Sequence, residues 1–317
     1  MNVVAIDIGG TNIRIASYSY NNGSLALSGE IQSYPVWNDG RNVSPDGLAD
    51  IVDRYSGHKS GFSKVDAVGC AVAGMLDEER AVVEKALNVG WENVPLKSIL
   101  EQKTHLPALI DTDAYAGAVY EDGEGVGRAN RFSTFLYVAI GTGIGHAFVQ
   151  DGEVWRGVHN RSNVFGHLTY IPGGRDCYCG SRGCVCQYAA GPGIVRSAVE
   201  SGLLENEYRG DKLQGRNIVD SARAGNPGAI HALETATDAL AVALSHAYNL
   251  LDHDRTVLAG GAISDYWPNL EELRARVSRN VHPSIEHIEL IKSKDPGTGI
   301  LRGIAMQTAA RMEEENL

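Results

Sequence analysis

A strand that runs into a glycine-rich turn and then into a second strand occurs twice in this chain. Residues 3–7 form an apolar run that leads into Gly-Gly-Thr-Asn, and strand character resumes at residues 13–16. Residues 135–140 likewise lead into Gly-Thr-Gly-Ile-Gly and then into another apolar stretch. Short apolar runs bounded by glycine turns are typical of paired strands. The recurrence therefore predicts two copies of one sheet motif.

A third glycine pair and an intervening helix extend the pattern. Gly260 and Gly261 follow an apolar run at residues 256–259, which comes after an Ala- and Leu-rich helical pattern from about residue 227 to 251. Strand motifs separated by helices predict an α/β fold. We expect two α/β domains that face each other across a cleft, with a nucleotide between them.

The composition of the glycine turns favours phosphate binding. Glycine accepts positive φ and lets backbone N–H groups approach phosphate oxygens closely. Asp7 ends the first strand, where its carboxylate would reach a magnesium ion. A plain hairpin turn is the alternative for the first turn taken alone, and the recurrence argues against it.

A second signal is a compact set of soft metal ligands between residues 166 and 186. The order is Gly166-His167, then Cys177-x-Cys179-Gly-x-x-Gly-Cys184. One imidazole and three thiolates suit a closed tetrahedral zinc site, with His167, Cys177, Cys179 and Cys184 as ligands. Unligated buried cysteines or a disulfide are the alternatives. Cys186 follows as a further thiol that competes as a ligand, whereas Cys70 stands alone in an apolar run and is expected in the core.

Composition narrows the class of partner. The 317 residues are 43% hydrophobic, enough for about two domains with substantial cores. A formal charge of −11 without a Lys or Arg block would repel nucleic acid. No apolar run reaches the ~20 residues of a membrane helix. With a strand starting directly after the first residues, no secretory segment is recognised, so a cytoplasmic protein with a small-molecule ligand is expected.

At this point the chain resembles the ROK family of sugar kinases over nearly its whole length. The matching motifs occur in the family's order: Asp7-Ile-Gly-Gly-Thr-Asn12, Asp111-Thr-Asp-Ala114, Gly141-Thr-Gly-Ile-Gly145, Gly166-His167, the cysteine knuckle, Gly260-Gly261 and Gly299-Ile-Leu-Arg-Gly303. The resemblance implies the actin-like, ribonuclease-H-like fold shared with actin and hexokinase. It also implies ATP with Mg²⁺ as cofactor, beside the structural Zn²⁺, and a homodimer or tetramer.

The family register assigns roles to individual residues. The nucleotide and its phosphates would contact Asp7, Gly9, Gly10, Thr11 and Asn12, then Gly141, Thr142 and Gly143, with Gly260 and Gly261 at the adenosine. Asp113 falls where the family keeps the carboxylate that accepts the proton of the attacking hydroxyl. Asp111 is the nearby competitor, and capping of the following helix is an alternative or additional role for Asp113.

Three positions expected to face the sugar depart from the family pattern. Thr112 replaces an Asn before the catalytic Asp, Val164 replaces a Glu in the Gly-Glu-x-Gly-His motif, and Cys186 replaces a Glu after the last knuckle cysteine. Each change removes a polar group that would bind sugar hydroxyls. Unpaired hydroxyls cost roughly 1–3 kcal/mol each, so plain glucose is disfavoured.

These departures shape the predicted acceptor. Arg161 and His159 are expected to make the pocket rim more positive, which disfavours cationic amino sugars, while Gly74 and Asn88 are expected on the sugar side. The prediction is a kinase for a primary hydroxyl of a sugar-like acceptor, either a valiolone-type C7 cyclitol or a modified hexose. A conventional glucose, mannose or amino-sugar 6-kinase and a non-catalytic sugar sensor remain alternatives, and so does compensation by residues elsewhere.

The predicted domains are a small α/β domain at residues 1–112 and a larger one at residues 113–299 that contains the zinc knuckle at residues 166–186. The C-terminal helix, at about residues 300–317, is expected to return to the small domain. His167 is predicted to bind zinc through one ring nitrogen and to present the other to the acceptor.

Overall fold

The computed structural model describes residues 1–38, 41–58, 61, 64–127, 132–202, 214–294 and 297–315. The chain divides into two compact units. The first unit comprises Met1–Arg131, Val154–Ser162 and Thr298–Leu317, and the second comprises Phe132–Glu153 and Asn163–Gly297.

The first unit contains ten strands and four helices among the described residues. In chain order they are β1 (Asn2–Ile8), β2 (Asn12–Asn21), β3 (Ser24–Pro35), β4 (Trp37–Asn38), β5 (Arg41–Asn42), α1 (Pro45–His58), β6 (Ala67–Val72), β7 (Met75–Leu76), β8 (Val83–Ala86), β9 (Trp91–Val94), α2 (Leu96–Thr104), β10 (Ala108–Thr112) and α3 (Asp113–Gly123). The fourth helix, called α9 because it ends the chain, is Gly299–Glu315.

The second unit also combines strands and helices, with five strands among the described residues. Its elements are β11 (Thr134–Ile140), β12 (Ile144–Gln150), β13 (Glu153–Trp155, whose last two residues belong to the first unit), a 3₁₀ turn at Phe165–His167, α4 (Cys186–Ala189), α5 (Gly191–Glu200), α6 (Gly215–Arg223), α7 (Pro227–Leu251), β14 (Arg255–Ala259), α8 (Leu270–Ser278) and β15 (Leu290–Lys292).

The two main sheets have the same strand order. The first runs β3-β2-β1-β6-β10 and the second runs β13-β12-β11-β14-β15. In each sheet the central strand pairs antiparallel with the next strand along the chain and parallel with the strand on its other side. The outer pairs β6–β10 and β14–β15 are also parallel. The recurrence predicted from the glycine turns is thus a repeated sheet topology.

The central strands read as continuous apolar runs because helices or loops cover both faces of the sheet. In β1, Val3, Val4, Ala5 and Ile6 are fully buried. Val4, Ile6 and Ile8 pack with residues of α1 and α2 in one hydrophobic core. Val3 and Ala5 point to the other face of the sheet and pack with α9 in a second core. Cys70, in β6, is buried in the first of these cores, as predicted.

The first unit extends further along the chain than the predicted boundary between residues 112 and 113. Helix α3 packs tightly against α9, since a Cβ on Gly303 would come within 1.7 Å of the Ala116 carbonyl oxygen. This contact keeps α3 in the first unit, which continues to Arg131 and includes residues 154–162 as well. The C-terminal helix lies in the first unit.

Helix α7 organises the second unit. It is 25 residues long, begins after Asn226, whose side chain accepts a hydrogen bond from the Ala229 N–H, and ends at Asp252 in the left-handed conformation. Its many buried alanines let neighbouring helices pack closely. No helix in the described ranges is long and apolar enough to cross a membrane.

Candidate active site and zinc knuckle

Asp7 lies at the end of β1 with its carboxylate almost completely buried. Its Oδ2 accepts hydrogen bonds from Arg14 Nη2 at 2.5 Å and Nε at 3.1 Å. Its Oδ1 is buried and has no hydrogen-bond partner among the described residues. Burial raises the pKa of Asp7, and the Arg14 charge opposes that rise. One carboxylate oxygen is therefore held in place, and the other is an unsatisfied acceptor.

The first glycine turn connects β1 to β2 directly beside this carboxylate. The turn is closed by a 3.1 Å hydrogen bond from the Gly9 N–H to the Asn12 carbonyl. Asn88 donates from Nδ2 to the Gly9 carbonyl at 2.8 Å, while its own Oδ1 is buried and unpartnered. Thr11 and Asn12 are exposed. Asn88, predicted on the sugar side, therefore braces the predicted phosphate turn.

Gly74 lies where β7 and β8 approach closely. A Cβ at this position would come within 2.7 Å of the Lys85 carbonyl oxygen and 3.0 Å of the Ala86 Cβ. A larger residue would push β7 and β8 apart, so packing alone accounts for a glycine here.

Asp113 is the first residue of α3. Thr112 precedes it as the N-cap, and the Thr112 hydroxyl accepts a 3.3 Å hydrogen bond from the Tyr115 N–H. Asp113 Oδ1 accepts from the Ala114 N–H at 2.8 Å. Burial and the nearby charge of Asp7 raise the pKa of Asp113 to about 6. This is the range in which a carboxylate both ionises near neutral pH and is basic enough to accept a proton.

Asp111, the competitor for that role, is engaged in an ion pair. Its fully buried carboxylate accepts two hydrogen bonds from Arg156, at 2.8 Å from Nη1 and 2.6 Å from Nη2, and Arg80 lies 3.5 Å away. Arg156 also lies over the Tyr115 ring, 4.6 Å from its centroid. The bidentate contact occupies both carboxylate oxygens of Asp111, which leaves neither oriented toward an acceptor hydroxyl. Asp113 is the better candidate of the two.

Arg156 was not predicted from the sequence, because it lies 45 residues from its partner. It belongs to the segment 154–162, which several polar contacts attach to the first unit. Asn160 donates to the Asp77 carbonyl at 3.1 Å, and Ser162 Oγ lies 2.9 Å from the Tyr115 hydroxyl.

The predicted positive rim is neutralised in the structure. Arg161 forms an ion pair with Glu84 and donates to the Leu76 carbonyl at 2.5 Å. His159 Nδ1 lies 2.8 Å from Glu78 Oε1. The Arg161 charge is paired with Glu84, and the His159 ring contacts Glu78, so neither side chain adds an unpaired positive charge. These acidic partners were not predicted, because they lie about 80 residues earlier in the chain.

The second glycine turn connects β11 to β12. It is closed by a 2.9 Å hydrogen bond from the Gly141 N–H to the Gly143 carbonyl. The Gly141 carbonyl accepts from the Gly191 N–H at 2.8 Å, at the start of α5. Thr142, between the two glycines, is exposed. The turn is thus braced by a helix start, where the first turn is braced by a side-chain amide.

Further glycines meet at this turn. A Cβ on Gly215, which begins α6, would lie 2.9 Å from the Gly191 Cα. Gly260 has a φ of +100°, and a Cβ there would lie 2.4 Å from the Ile140 carbonyl oxygen, whereas Gly261 faces open space. Gly191 and Gly215 were not predicted as part of the site. The Gly-Pro-Gly run at residues 191–193, a helix-start signal, would have marked the first of them.

The predicted zinc ligands lie together in the second unit. One ligand atom from each of His167, Cys177, Cys179 and Cys184 falls within 4.8 Å of the others. His167 Nδ1 is 3.5 Å from Cys177 Sγ, and the sulfurs of Cys179 and Cys184 are 3.7 Å apart. These separations are close to the edges of a tetrahedron with Zn–S of about 2.3 Å and Zn–N of about 2.0 Å. The donor set therefore fits zinc.

Two glycines shape this zinc knuckle, as the sequence predicted. Gly180 has a φ of +92° and Gly183 a φ of +76°. A Cβ on Gly183 would come within 1.7 Å of the Ile171 carbonyl oxygen. His146, a residue that sequence reasoning missed, accepts a 3.1 Å hydrogen bond at Nδ1 from the Phe165 N–H and thereby fixes the 3₁₀ turn that carries His167. Burial lowers the pKa of His146 to about 4, so its ring is neutral at pH 7.

Val164 and Cys186, the other two positions that depart from the family pattern, lie in different environments. Val164 precedes the 3₁₀ turn and is 38% exposed, so its apolar side chain is available to a ligand. Cys186 begins α4 and is only 3% exposed. Its sulfur lies 3.7 Å from Cys177 Sγ and 3.8 Å from His167 Nδ1. Cys186 therefore lies beside the predicted metal ligands.

Comparison with known proteins places these features in a family. A sequence profile of the ROK family matches residues 3–307. The chain belongs to the ROK family. A glucokinase of Halalkalibacterium halodurans is 31% identical over 268 residues, which cover 81% of this chain and 79% of that protein. A kanosamine kinase of Amycolatopsis mediterranei is 30% identical over 260 residues, covering 81% and 80% respectively.

A solved ROK structure shares the fold. A ROK hexokinase from Thermus thermophilus superposes with a TM-score of 0.79 at 27% identity, covering 99% of this chain and 100% of that one.

Sequence relatives also include a repressor. A xylose repressor of Bacillus spizizenii is 29% identical over 219 residues, which cover 69% of this chain but 54% of the repressor. The predictions of family, α/β fold and enzyme class are confirmed: this ROK protein is a sugar kinase.

Proposed function

We propose that this ROK protein transfers the γ-phosphate of ATP, with Mg²⁺, to a primary hydroxyl of a sugar-like acceptor. The observation that carries the proposal is the contrast between Asp113 and Asp111. Asp111 is tied to Arg156, whereas no basic side chain in the described ranges pairs with Asp113, whose pKa is raised to about 6. The glucokinase and kanosamine kinase relatives support the same class of reaction.

In this mechanism Asp113 orients the acceptor hydroxyl and takes its proton. The hydroxyl oxygen then forms a bond to the γ-phosphorus as the bond to the β,γ-bridging oxygen breaks, and ADP leaves. Because the transition state requires mainly alignment and charge stabilisation, one well-placed carboxylate is sufficient for the proton transfer.

The metal and nucleotide are assigned to the glycine turns. Magnesium supplies positive charge to the transferring phosphoryl group when bound. The orphaned Oδ1 of Asp7 fits a magnesium ion or one of its water ligands, since a buried carboxylate oxygen otherwise lacks a partner. The proposed phosphate contacts are Gly9, Gly10, Thr11, Asn12, Gly141, Thr142 and Gly143, and the proposed adenosine contacts are Gly260 and Gly261.

The acceptor is proposed to be a valiolone-type C7 cyclitol or a modified hexose. Thr112 uses its hydroxyl to cap α3, and Val164 presents an exposed apolar side chain. Neither replaces the hydrogen bonds that the family's Asn and Glu would give a hexose. An acceptor with fewer hydroxyls on that side leaves fewer polar groups unpaired. Gly74, Asn88 and Arg161 are the remaining proposed contacts, although Arg161 is paired with Glu84 and Asn88 braces the first turn.

His167 is proposed to join the zinc site to the acceptor. Its Nδ1 is the ring nitrogen near the Cys177 sulfur, which leaves Nε2 for a hydroxyl. A metal that fixes the ring also fixes the direction of that hydrogen bond.

A conventional hexokinase is the first alternative, favoured by the glucokinase and kanosamine kinase relatives. A non-catalytic sensor is the second, favoured by the similarity to xylose repressors. A homodimer or tetramer acting in the cytoplasm on a small molecule, with neither nucleic acid nor membrane as partner, completes the proposal.

The deciding experiment is ADP release with Mg-ATP across a panel of acceptors. The panel contains glucose, mannose, N-acetylated and 3-amino hexoses, and C7 cyclitols of the valiolone type. Preferential turnover of a cyclitol or modified hexose is expected. A preference for glucose or an amino sugar would overturn the proposed acceptor but keep the kinase, and binding without ADP release would support the sensor.

A further inference from the structure

The zinc knuckle contains five potential metal ligands for a four-coordinate ion. Cys186 is the extra one. It lies outside the group of four whose ligand atoms all fall within 4.8 Å of one another, but its sulfur is close to two members of that group. All five cysteines of the chain are free thiols.

The separation between the Cys186 and Cys177 sulfurs is that expected of two thiolates on one zinc ion. Two sulfurs on a tetrahedral zinc lie about 3.8 Å apart, and a sulfur and a nitrogen about 3.5 Å apart, given Zn–S of about 2.3 Å and Zn–N of about 2.0 Å. Cys186 Sγ lies 3.7 Å from Cys177 Sγ, the same separation as between Cys179 and Cys184. It lies 3.8 Å from His167 Nδ1. It is therefore adjacent to the position that the His167 ring occupies.

The surroundings of Cys186 can also support a fourth thiolate. A Cys₄ site carries one more negative charge than a Cys₃His site, so it needs hydrogen-bond donors around its sulfurs. The Gln187 side chain donates from Nε2 toward Cys177 Sγ at 3.5 Å and toward Cys186 Sγ at 3.9 Å. Burial of Cys186 excludes water from the same position.

We propose that Cys186 is a reserve zinc ligand that replaces His167, so that the metal stays bound when the His167 ring leaves it. The zinc site then alternates between a Cys₃His and a Cys₄ donor set. The inference rests on the zinc site alone and is independent of the acceptor and of kinase activity.

The test compares zinc and cobalt binding by purified protein in reducing buffer. The variants are His167→Ala, Cys186→Ser and the double variant, with His231→Ala as the control because His231 is an exposed helix residue. His167→Ala is expected to keep one zinc per chain, with affinity reduced no more than about 10-fold. The double variant is expected to lose more than about 100-fold, beyond the usual effect of an outer-shell partner.

Cobalt substitution reports the number of thiolates directly, because sulfur-to-cobalt charge-transfer absorption grows with each one. His167→Ala is expected to absorb more strongly than wild type, and the double variant less strongly than His167→Ala. Equal loss of metal by His167→Ala and by the double variant would overturn the proposal. Retention of metal with wild-type absorption would also overturn it, since water would then be the fourth ligand.

A second measurement does not require the His167→Ala variant to fold. Cys186→Ser keeps His167 and three thiolates, so it binds zinc, but nothing captures the metal when the ring leaves. Zinc transfer to an excess chelator is expected to be about 10-fold faster than from wild type, within the range of a ligand-shell change. Equal transfer rates from the two proteins would contradict a reserve ligand.

Discussion

The turn after β1 and the turn after β11 occupy the same place in two sheets of the same strand order, yet they are built differently. The first follows a buried carboxylate, Asp7, and is braced by the side chain of Asn88. The second follows apolar Ile140 and is braced by backbone, through Gly191 and the close approach of Gly260. Sheet topology is repeated, but the electrostatics of the turn are not.

This difference suggests that the two turns have different roles. The three acidic side chains Asp7, Asp111 and Asp113 all lie in the first unit, within a few residues of strand ends. Close backbone approach distinguishes the second turn, where Gly191 and Gly260 contact the residues around it. Changes of charge should therefore act mainly at the first turn, and changes of volume at the second.

Asp113→Asn is the most direct test of the acidic residues in the first unit. Loss of the base is expected to lower kcat by about 10²- to 10⁴-fold with little change in the KM for ATP, because the amide cannot accept the proton. Steady-state ADP release measures both constants. Asp220→Asn, which removes an exposed carboxylate from α6, is the matched control. Activity within a few-fold of wild type would remove Asp113 from the mechanism.

Arg156→Met tests the ion pair that distinguishes Asp111 from Asp113. The change leaves a fully buried carboxylate without its bidentate partner, and we expect a loss of about 3 kcal/mol in the free energy of unfolding. This value is at the lower end of the roughly 3–5 kcal/mol expected for a broken buried ion pair. Arg80 Nη1 still lies 3.5 Å from Asp111 Oδ2, and Arg156 is partly exposed.

Chemical denaturation with urea measures this loss. Arg156→Met combined with Asp111→Asn should recover part of it, because the buried charge is then gone. Arg182→Met serves as the exposed control. No difference between Arg156→Met and that control would show that Asp111 is stable without Arg156.

The pH dependence of stability tests the raised pKa of Asp113. A carboxyl whose folded pKa is about 6 favours the folded state fully below its unfolded pKa of 3.8 and loses that contribution as pH rises through 6. Asp113→Asn removes this titration. The variant should gain stability relative to wild type between pH 4 and 6.5, by on the order of 2 kcal/mol, and the gain should be constant above that.

Thermal unfolding of both proteins across this range measures the effect. Asp220→Asn should show a difference from wild type that does not vary with pH. A flat difference for Asp113→Asn as well would mean that Asp113 has an ordinary pKa and that its environment is more hydrated than the structure indicates.

Gly260→Ala and Gly261→Ala test the close backbone packing near the second turn, at two adjacent residues. Gly260 has a left-handed φ and no room for a Cβ, so alanine is expected to cost about 1–2 kcal/mol of stability. Gly261 faces open space, so alanine there should change stability by less than about 0.5 kcal/mol. Thermal unfolding ranks the two variants, and equal effects would contradict the close packing of Gly260 against Ile140.

Local sequence patterns predicted a large part of the fold and site. The two glycine turns fixed the strand pairs that flank them, because a turn and its strands are contiguous in the chain. The spacing of Cys177, Cys179 and Cys184 predicted a metal knuckle for the same reason, and the positive φ of Gly180 and Gly183 agrees with it. The family register picked out Asp113, although its role as a base stays a prediction.

Other features depended on residues far apart in the chain. The division between units falls near residue 131 rather than 112, because α3 packs on a helix that begins at residue 299. The positive charges expected from His159 and Arg161 are matched by acidic residues about 80 positions earlier. No local pattern encodes such partners.

The sequence by itself determined where turns, strands and metal ligands occur, because these depend on neighbouring residues and on the conformations that glycine and cysteine allow. Tertiary structure alone decided how the polar groups are paired. It joined Arg156 to Asp111, brought Asn88 to Gly9, and left Asp113 without a basic partner among the described residues. The physical reason is that burial and pairing set the energy of a charge, and both are properties of packed elements that are distant in the chain.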